Sequence, residues 1–138
     1  MKKHLEVVAA IIEYDGKILC MQRGAGKYDY VSFKYEFPGG KVEVGESHPQ
    51  ALMRELIEEM NFEVTISDDD YFITSNYDYP DFSITMYCYL CHVISPDFTR
   101  KEHVDHKWMI PESLLELDWA PADVVVVEAI KNKYTENA

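Results

Sequence analysis

An α+β architecture, a mixed β-sheet with helices packed on its faces, is what this sequence predicts. Three observations lead there. Apolar residues make up 47% of the 138 residues, enough to bury a core without disulfide or metal staples. No linker or internal repeat divides the chain, so residues 1–138 read as one domain. Segments with strand character also outnumber helical ones and are mostly joined as hairpins.

Residues 5–13 are rich in Val and Ile and read as a buried strand. Asp15-Gly16 supplies a two-residue hairpin turn, and residues 17–23 return as its partner. Residues 24–32 form an exposed loop before a short strand near 34–37, which Pro38-Gly39-Gly40 breaks; Gly45 marks a further turn. The best-signalled element comes next. Ser47 with Gln50 three residues on is a capping box, and Pro49 suits a first turn. Ala51, Leu52, Leu56, Ile57 and Met60 recur at helical spacing, so a helix spans about 48–60. Asn61, which tolerates the left-handed conformation, ends it. Residues 62–66, 71–77 and 82–94 read as strands, with Tyr79-Pro80-Asp81 turning between the last two. A short strand is expected at 106–110, a brief helix at 111–117 and a closing helix at 121–134. In the last, Pro121 ahead and Glu128-Ala129-Ile130-Lys131 behind outweigh the strand propensity of residues 124–127.

Thirteen Lys and Arg face 25 Asp and Glu, a net charge of -12. That balance argues against duplex nucleic acid or an anionic membrane as partner, since both call for a basic face. It suits a phosphate-bearing small molecule, because divalent cations bridge carboxylates to phosphates. The basic start Met1-Lys2-Lys3 precedes an apolar run of only residues 7–12, too short for a secretory core or a span. A cytoplasmic protein is therefore expected. Cys20, Cys88 and Cys91, an odd count, fit a reducing compartment. Cys88 and Cys91 have redox-motif spacing, but residues three apart on a strand face opposite sides. Buried structural thiols are the expectation.

Charge alone picks out Glu43, Glu46, Arg54, Glu55, Glu58 and Glu59. On a helix Glu55, Glu58 and Glu59 stand at i, i+3 and i+4 and share one face, with Arg54 the nearby cation and no Lys or Arg one turn beyond. Like charges so placed oppose helix formation by about 0.2–0.5 kcal/mol per pair. Something outside the helix should neutralise them. A solvated acidic face is the plain alternative. Against it stands Pro38-Gly39-Gly40-Lys41, a glycine turn leading toward the helix. Glycine lets the backbone approach a ligand, and carbonyls join carboxylates as hard oxygen donors. Oxygen-only ligation suits Mg²⁺, or Mn²⁺, and not Zn²⁺.

Gly40, five residues, Glu46, seven residues, then Arg54-Glu55-Leu56-Ile57-Glu58-Glu59 resembles the Nudix box. The pattern covers residues 40–62 and departs at Asn61, where the family has Gly; Asn adopts the same conformation, so a modest stability cost is expected. The likeness continues through residues 6–13, 15–19, Gln22-Arg23, residues 36–43 and Ala120-Pro121-Ala122-Asp123, which look like the MutT-like branch; the loop 24–34 is outside it. The resemblance implies a Nudix α/β/α sandwich with helices on both faces of the sheet. It also implies an enzyme with a nucleotide substrate. The reaction would be Mg²⁺-dependent hydrolysis of a (deoxy)nucleoside triphosphate to monophosphate and pyrophosphate, clearing oxidised or modified nucleotides.

Carried onto matching positions, the resemblance implies Glu58, Glu59 and the Gly39 carbonyl as metal ligands, and Glu55 as ligand, water-orienting group or base. Glu102, six residues before Trp108, would be a further ligand or base, its alternative being a surface carboxylate. Arg54 would fix a box carboxylate, with Glu46 its partner. Arg23 and Lys41 are candidates for phosphate contacts. Phe37 and Asp123 match base-contacting positions, and Phe82 stands where the branch has Arg. That loss weakens an 8-oxoguanine reading and leaves cytidine nucleotides beside it. Asp123 would accept from an amino or imino donor, or else cap the closing helix. Other nucleoside diphosphates, such as ADP-ribose or a sugar nucleotide, remain an alternative within the family. A non-catalytic nucleotide-binding module is a further one, against which Glu55, Glu58 and Glu59 argue. His103 and His106 suit no common zinc pattern and are expected to face solvent. Tyr28, Tyr30 and Tyr35 either line a base pocket or cover core. Nothing in the spacing bears on oligomeric state.

Overall fold

The structure, a computed structural model, describes residues 2–136, without the side chains of residues 135 and 136. Seven strands make one mixed sheet: β1 (Lys3–Tyr14), β2 (Lys17–Gln22), β3 (Tyr35–Glu36), β4 (Gly39–Lys41), β5 (Tyr71–Asp78), β6 (Phe82–His92) and β7 (Asp105–Met109). The order is β3-β2-β1-β6-β5, with β4 also on β1 and β7 also on β2. β1 is the spine. It runs parallel to β6 from Lys3↔Phe82 to Glu13↔His92, and antiparallel to β4 at Val7, Val8 and Ala9. The turn to β2 uses Asp15 and Gly16, both at positive φ (53° and 76°), as a two-residue hairpin of this type requires.

β1 is covered on both faces, which is why its apolar residues run without alternating. Val8, Ala10 and Ile12 pack with Leu52, Leu56 and Met60 of α1 (His48–Met60). Ala9 and Ile11 pack with Val126, Val127 and Ile130 of α2 (Pro121–Glu136) on the other side. The sheet therefore lies between helices, as the α/β/α expectation required. Cys88 and Cys91 fall into opposite clusters, and all three cysteines are free and buried. Burial pushes the Cys20 and Cys91 thiols up to about 12, so neither is a ready nucleophile.

α1 begins with the capping box: Gln50 N–H donates to Ser47 Oγ at 3.2 Å, and Ser47 N–H to Gln50 Oε1 at 2.9 Å. Asn61 closes it in the left-handed conformation (φ 51°), donating its N–H to the Ile57 carbonyl. Other expectations need correction. Residues 62–66 are not a strand: Phe62 and Ile66 are buried in the cluster under α1, and the segment joins no strand ladder among the described residues. Their amides go instead to the Leu56 carbonyl and Met53 Sδ. The Gly39-Gly40 pair does not simply interrupt the sheet, because with no side chains it lies against β1 as β4. The brief helix after β7 is a 3₁₀ segment, Pro111–Glu116. No helix among the described residues is long and apolar enough to cross a membrane.

Candidate active site

α1 holds its acidic residues at different depths. With about 100° between successive residues, Glu58 and Glu59 stand about 60° and about 40° to either side of Glu55, on one face of the helix. Glu55 is nearly buried (side chain 15% exposed), whereas Glu58 is 57% exposed. The expected face is shared but unevenly buried, and one residue of the same helix, Arg54, serves its exposed side. Arg54 Nε donates to Glu46 Oε2 at 2.6 Å and its Nη2 to Glu46 Oε1 at 2.9 Å, a bidentate pair. Its Nη1 reaches Glu55 at 2.9 Å and Glu58 at 3.1 Å, and Nη2 also bonds the Lys41 carbonyl. Glu43 stands 3.7 Å away. The Arg54 hydrogen bond, with one from the Glu43 backbone, holds the Glu46 carboxyl below its ordinary range. A lysine is a point charge and cannot serve these acceptors together. Arg54→Lys should therefore cost about 1–3 kcal/mol in urea unfolding and lower turnover as well, since Glu55 loses its anchor.

Glu59 has no cationic partner among the described residues, only a hydrogen bond from the Gly39 backbone. Its Oε2 is buried without a hydrogen bond among the described residues. Burial, joined by the charges of Glu55, Glu36 and Glu102, pushes its carboxyl up to about 8. Burial raises Glu55 too, with Arg54 opposing. A buried, unpartnered carboxylate oxygen among like charges is the environment that a hard cation satisfies. The adjoining glycines make the room: a Cβ on Gly40 would overlap the Glu55 carboxyl, and one on Gly39 would overlap the Val8 backbone. As the side chains stand, no three His, Cys, Asp or Glu among the described residues converge as a finished metal cluster. Glu58 is turned to Arg54, and Glu102 is exposed. The donor types present, carboxylates and backbone carbonyls, fit Mg²⁺ or Mn²⁺.

Glu59 opens into a cavity of about 690 Å³ between β1, the 24–34 loop, β6 and the start of α2. Of the candidates, Arg23, Phe37, Gly39, Lys41, Glu59, Phe82, Glu102 and Asp123 line it; Glu55 and Glu58 do not. Lys41 is exposed at the rim, while Arg23 Nη1 donates to Glu36 Oε1 at 3.1 Å. Phe37 is 3% exposed and packs on Trp119, ring centroids 4.8 Å apart, so it forms floor. Asp123 does not cap α2. Its Oδ1 accepts from the Phe37 N–H at 3.2 Å, and burial, then the Glu36 charge, holds its carboxyl well above the usual range. A more open depression of about 920 Å³, by Lys34, Asn76, Asp118 and the α2 start, contains Tyr30 but none of the candidate metal or phosphate ligands.

The tyrosines divide. Tyr35 is core against Trp119. Tyr28 lines the cavity and lies 5.6 Å from Phe82, with Tyr30 stacked behind it at 5.3 Å. Tyr30 also stacks on Tyr79 at 5.2 Å and donates its hydroxyl to Asp81, so the loop outside the family likeness is docked by aromatic faces. The histidine expectation fails for His103, whose side chain is 7% exposed with Nε2 2.9 Å from Glu36 Oε2. The Glu36–His103 pair leaves no signal in the sequence, because 67 residues separate the two and neither sits in a pattern that names the other. His106 is half-buried, edge-on to Phe98.

A sequence model of the NUDIX domain matches residues 2–130. The CTP pyrophosphohydrolase of Escherichia coli (strain K12) is 43% identical over 131 residues, covering 92% of this chain and 91% of that protein. The 8-oxo-dGTP diphosphatase of the same organism is 32% identical over 129 residues, covering 94% and 98%. Among solved structures, the E. coli ORF135 protein matches with a TM-score of 0.78 and 38% identity, covering 98% of this chain and 94% of that one. A MutT protein from Methanosarcina mazei Go1, at 23% identity and a TM-score of 0.81 over 99% and 96%, shares the fold.

Proposed function

The chain belongs to the Nudix family and is a MutT-like hydrolase of phosphoric anhydrides, and we propose that it hydrolyses a (deoxy)nucleoside triphosphate to the monophosphate and pyrophosphate, with Mg²⁺ as cofactor. Its role would be to clear oxidised or modified nucleotides from the cytoplasmic pool, the whole described chain acting as one domain. The observation that carries the reading is the buried, unpartnered Glu59 oxygen beside a glycine turn, on a residue that lines a cavity of small-molecule size.

Glu59, Glu55, Glu102 and the Gly39 carbonyl would hold the cation, joined by Glu58 once it leaves Arg54. Bound there, the metal would supply charge neutralisation for the phosphates, which with positioning is most of what phosphoryl transfer needs. The chain's own residues do the rest. Arg54 fixes the Glu55 rotamer, Arg23 and Lys41 take phosphate oxygens at the cavity wall, and Glu102 accepts the proton of the attacking water. Tyr28 and Phe82 offer stacking faces to the base, and Asp123 meets its polar edge above the Phe37 floor. The relatives act, by their names, on CTP and 8-oxo-dGTP. With Phe82 in place of a cation, a base presenting an amino donor, as cytosine does, is favoured.

The test is Mg²⁺-dependent turnover of CTP, dCTP, 5-methyl-dCTP, 8-oxo-dGTP, dGTP and ADP-ribose. One or more triphosphates should be cleaved with a clear order among bases, and Asp123→Asn should change that order by about tenfold or more in kcat/KM. Cleavage of ADP-ribose alone, or of nothing, overturns the reading.

A further inference from the structure

The segment that carries Glu102 has few ties. Residues 93–104 form no helix or strand. Thr99 N–H bonds the Met60 carbonyl at 2.9 Å, and Val104 N–H bonds the Gln22 carbonyl at 3.0 Å. Between them, the exposed Arg100 reaches along the chain to Asp105 at 3.4 Å and His106 at 3.2 Å, and, among the described residues, residues 101–103 send one further hydrogen bond to the rest of the domain, His103 Nε2 to Glu36 Oε2. Glu102 and Val104 on either side are exposed, so this stretch turns inward at the imidazole between them. A carboxylate only accepts, so Nε2 carries the proton. The other oxygen of Glu36 is held by Arg23, and Glu36 itself sits on β3, paired with Met21 of β2. The anchor is therefore part of the sheet.

We propose that His103 is a positioning residue: by bonding Glu36 it fastens the irregular segment so that Glu102 stands at the cavity beside Glu59. The inference rests on the reading of Glu102 as base or ligand. Glu102, His103, Glu36 and Glu59 all line the one cavity, and the charge of Glu102 is felt by both Glu55 and Glu59. Freed of the imidazole, the peptide between Arg100 and Val104 would carry Glu102 through a range of positions, and turnover falls steeply with misplacement.

The experiment is a mutant cycle on the full chain, with Mg²⁺ and CTP or 8-oxo-dGTP. His103→Phe keeps a ring without the N–H; His103→Gln keeps an N–H at a similar reach. His103→Phe should lower kcat by about tenfold to a hundredfold with KM within about twofold, while His103→Gln recovers most of the rate. Glu102→Gln should cost far less in the His103→Phe background than alone. If His103→Phe does not fold, His103→Ala carries the same cycle. The proposal is overturned if kcat survives His103→Phe, if His103→Gln is no better, or if the two losses multiply independently. Should Glu102→Gln alone leave turnover unchanged, the role of Glu102 itself is wrong and the proposal falls with it, a result distinct from independent losses.

Discussion

Glu59→Gln should lower kcat by about 10²–10⁴-fold while making the metal-free protein more stable at alkaline pH. Both effects come from one buried carboxyl. Burial, with neighbouring carboxylates, moves it from 4.5 up to about 8 in the folded protein. A raised pKa means that the folded state holds its proton more tightly than the unfolded one. The stability this confers is complete below about 4.5 and is lost as pH rises through about 8. In EDTA the wild type should therefore be weaker at pH 9 than at pH 6, and Glu59→Gln should flatten that dependence. The gap at pH 9 is expected at about 2–4 kcal/mol, after allowance for partial solvent screening. Added Mg²⁺ should stabilise the wild type and leave the variant nearly unmoved. Urea midpoints in EDTA and in Mg²⁺ check this; a variant that is weaker than wild type in EDTA at pH 9 would contradict it.

Gly39→Ala should abolish the fold, and Gly40→Ala should spare the fold but not the activity. At Gly39 the added methyl meets the backbone of Val8 and Ala9 in the central strand, which cannot move without parting β4 from β1. A cost above about 4 kcal/mol is expected, a large share of the stability of a small domain. At Gly40 the obstacle is the Glu55 side chain, which can swing away. The stability cost there is about 1–2 kcal/mol, but the swing breaks the Arg54 bond that sets the Glu55 rotamer. Soluble yield, thermal midpoint and Mg²⁺-dependent turnover of the two variants separate these outcomes. A folded Gly39→Ala protein would show that β4 is not pressed on β1 as described.

What was legible in the chain was what depends on near neighbours. The Ser47–Gln50 box and the Asn61 cap close through bonds three and four residues apart, and the Arg54–Glu46 pair spans eight. The opposite facing of Cys88 and Cys91 follows from strand periodicity alone. Errors gathered where a partner lies far away. Asp123 looked able to cap its own helix, but its acceptor serves Phe37, 86 residues distant. Residues 62–66 have the composition of a strand, but the amides of Phe62 and Ile66 are taken by the Leu56 carbonyl and Met53 Sδ of the helix before them, a fact of the tertiary fold. The family pattern named the acidic residues but not their uneven burial, because Glu55 and Glu58 look alike until the β4 turn lies over one and solvent over the other.

Product identification with CTP and Mg²⁺, comparing wild type with Glu59→Gln, tests the metal-dependent hydrolysis most directly. Wild type should release CMP and pyrophosphate in equal amounts, with no release in EDTA, and the variant should release almost none. Release of single phosphates, undiminished release in EDTA, or full activity in Glu59→Gln would contradict it.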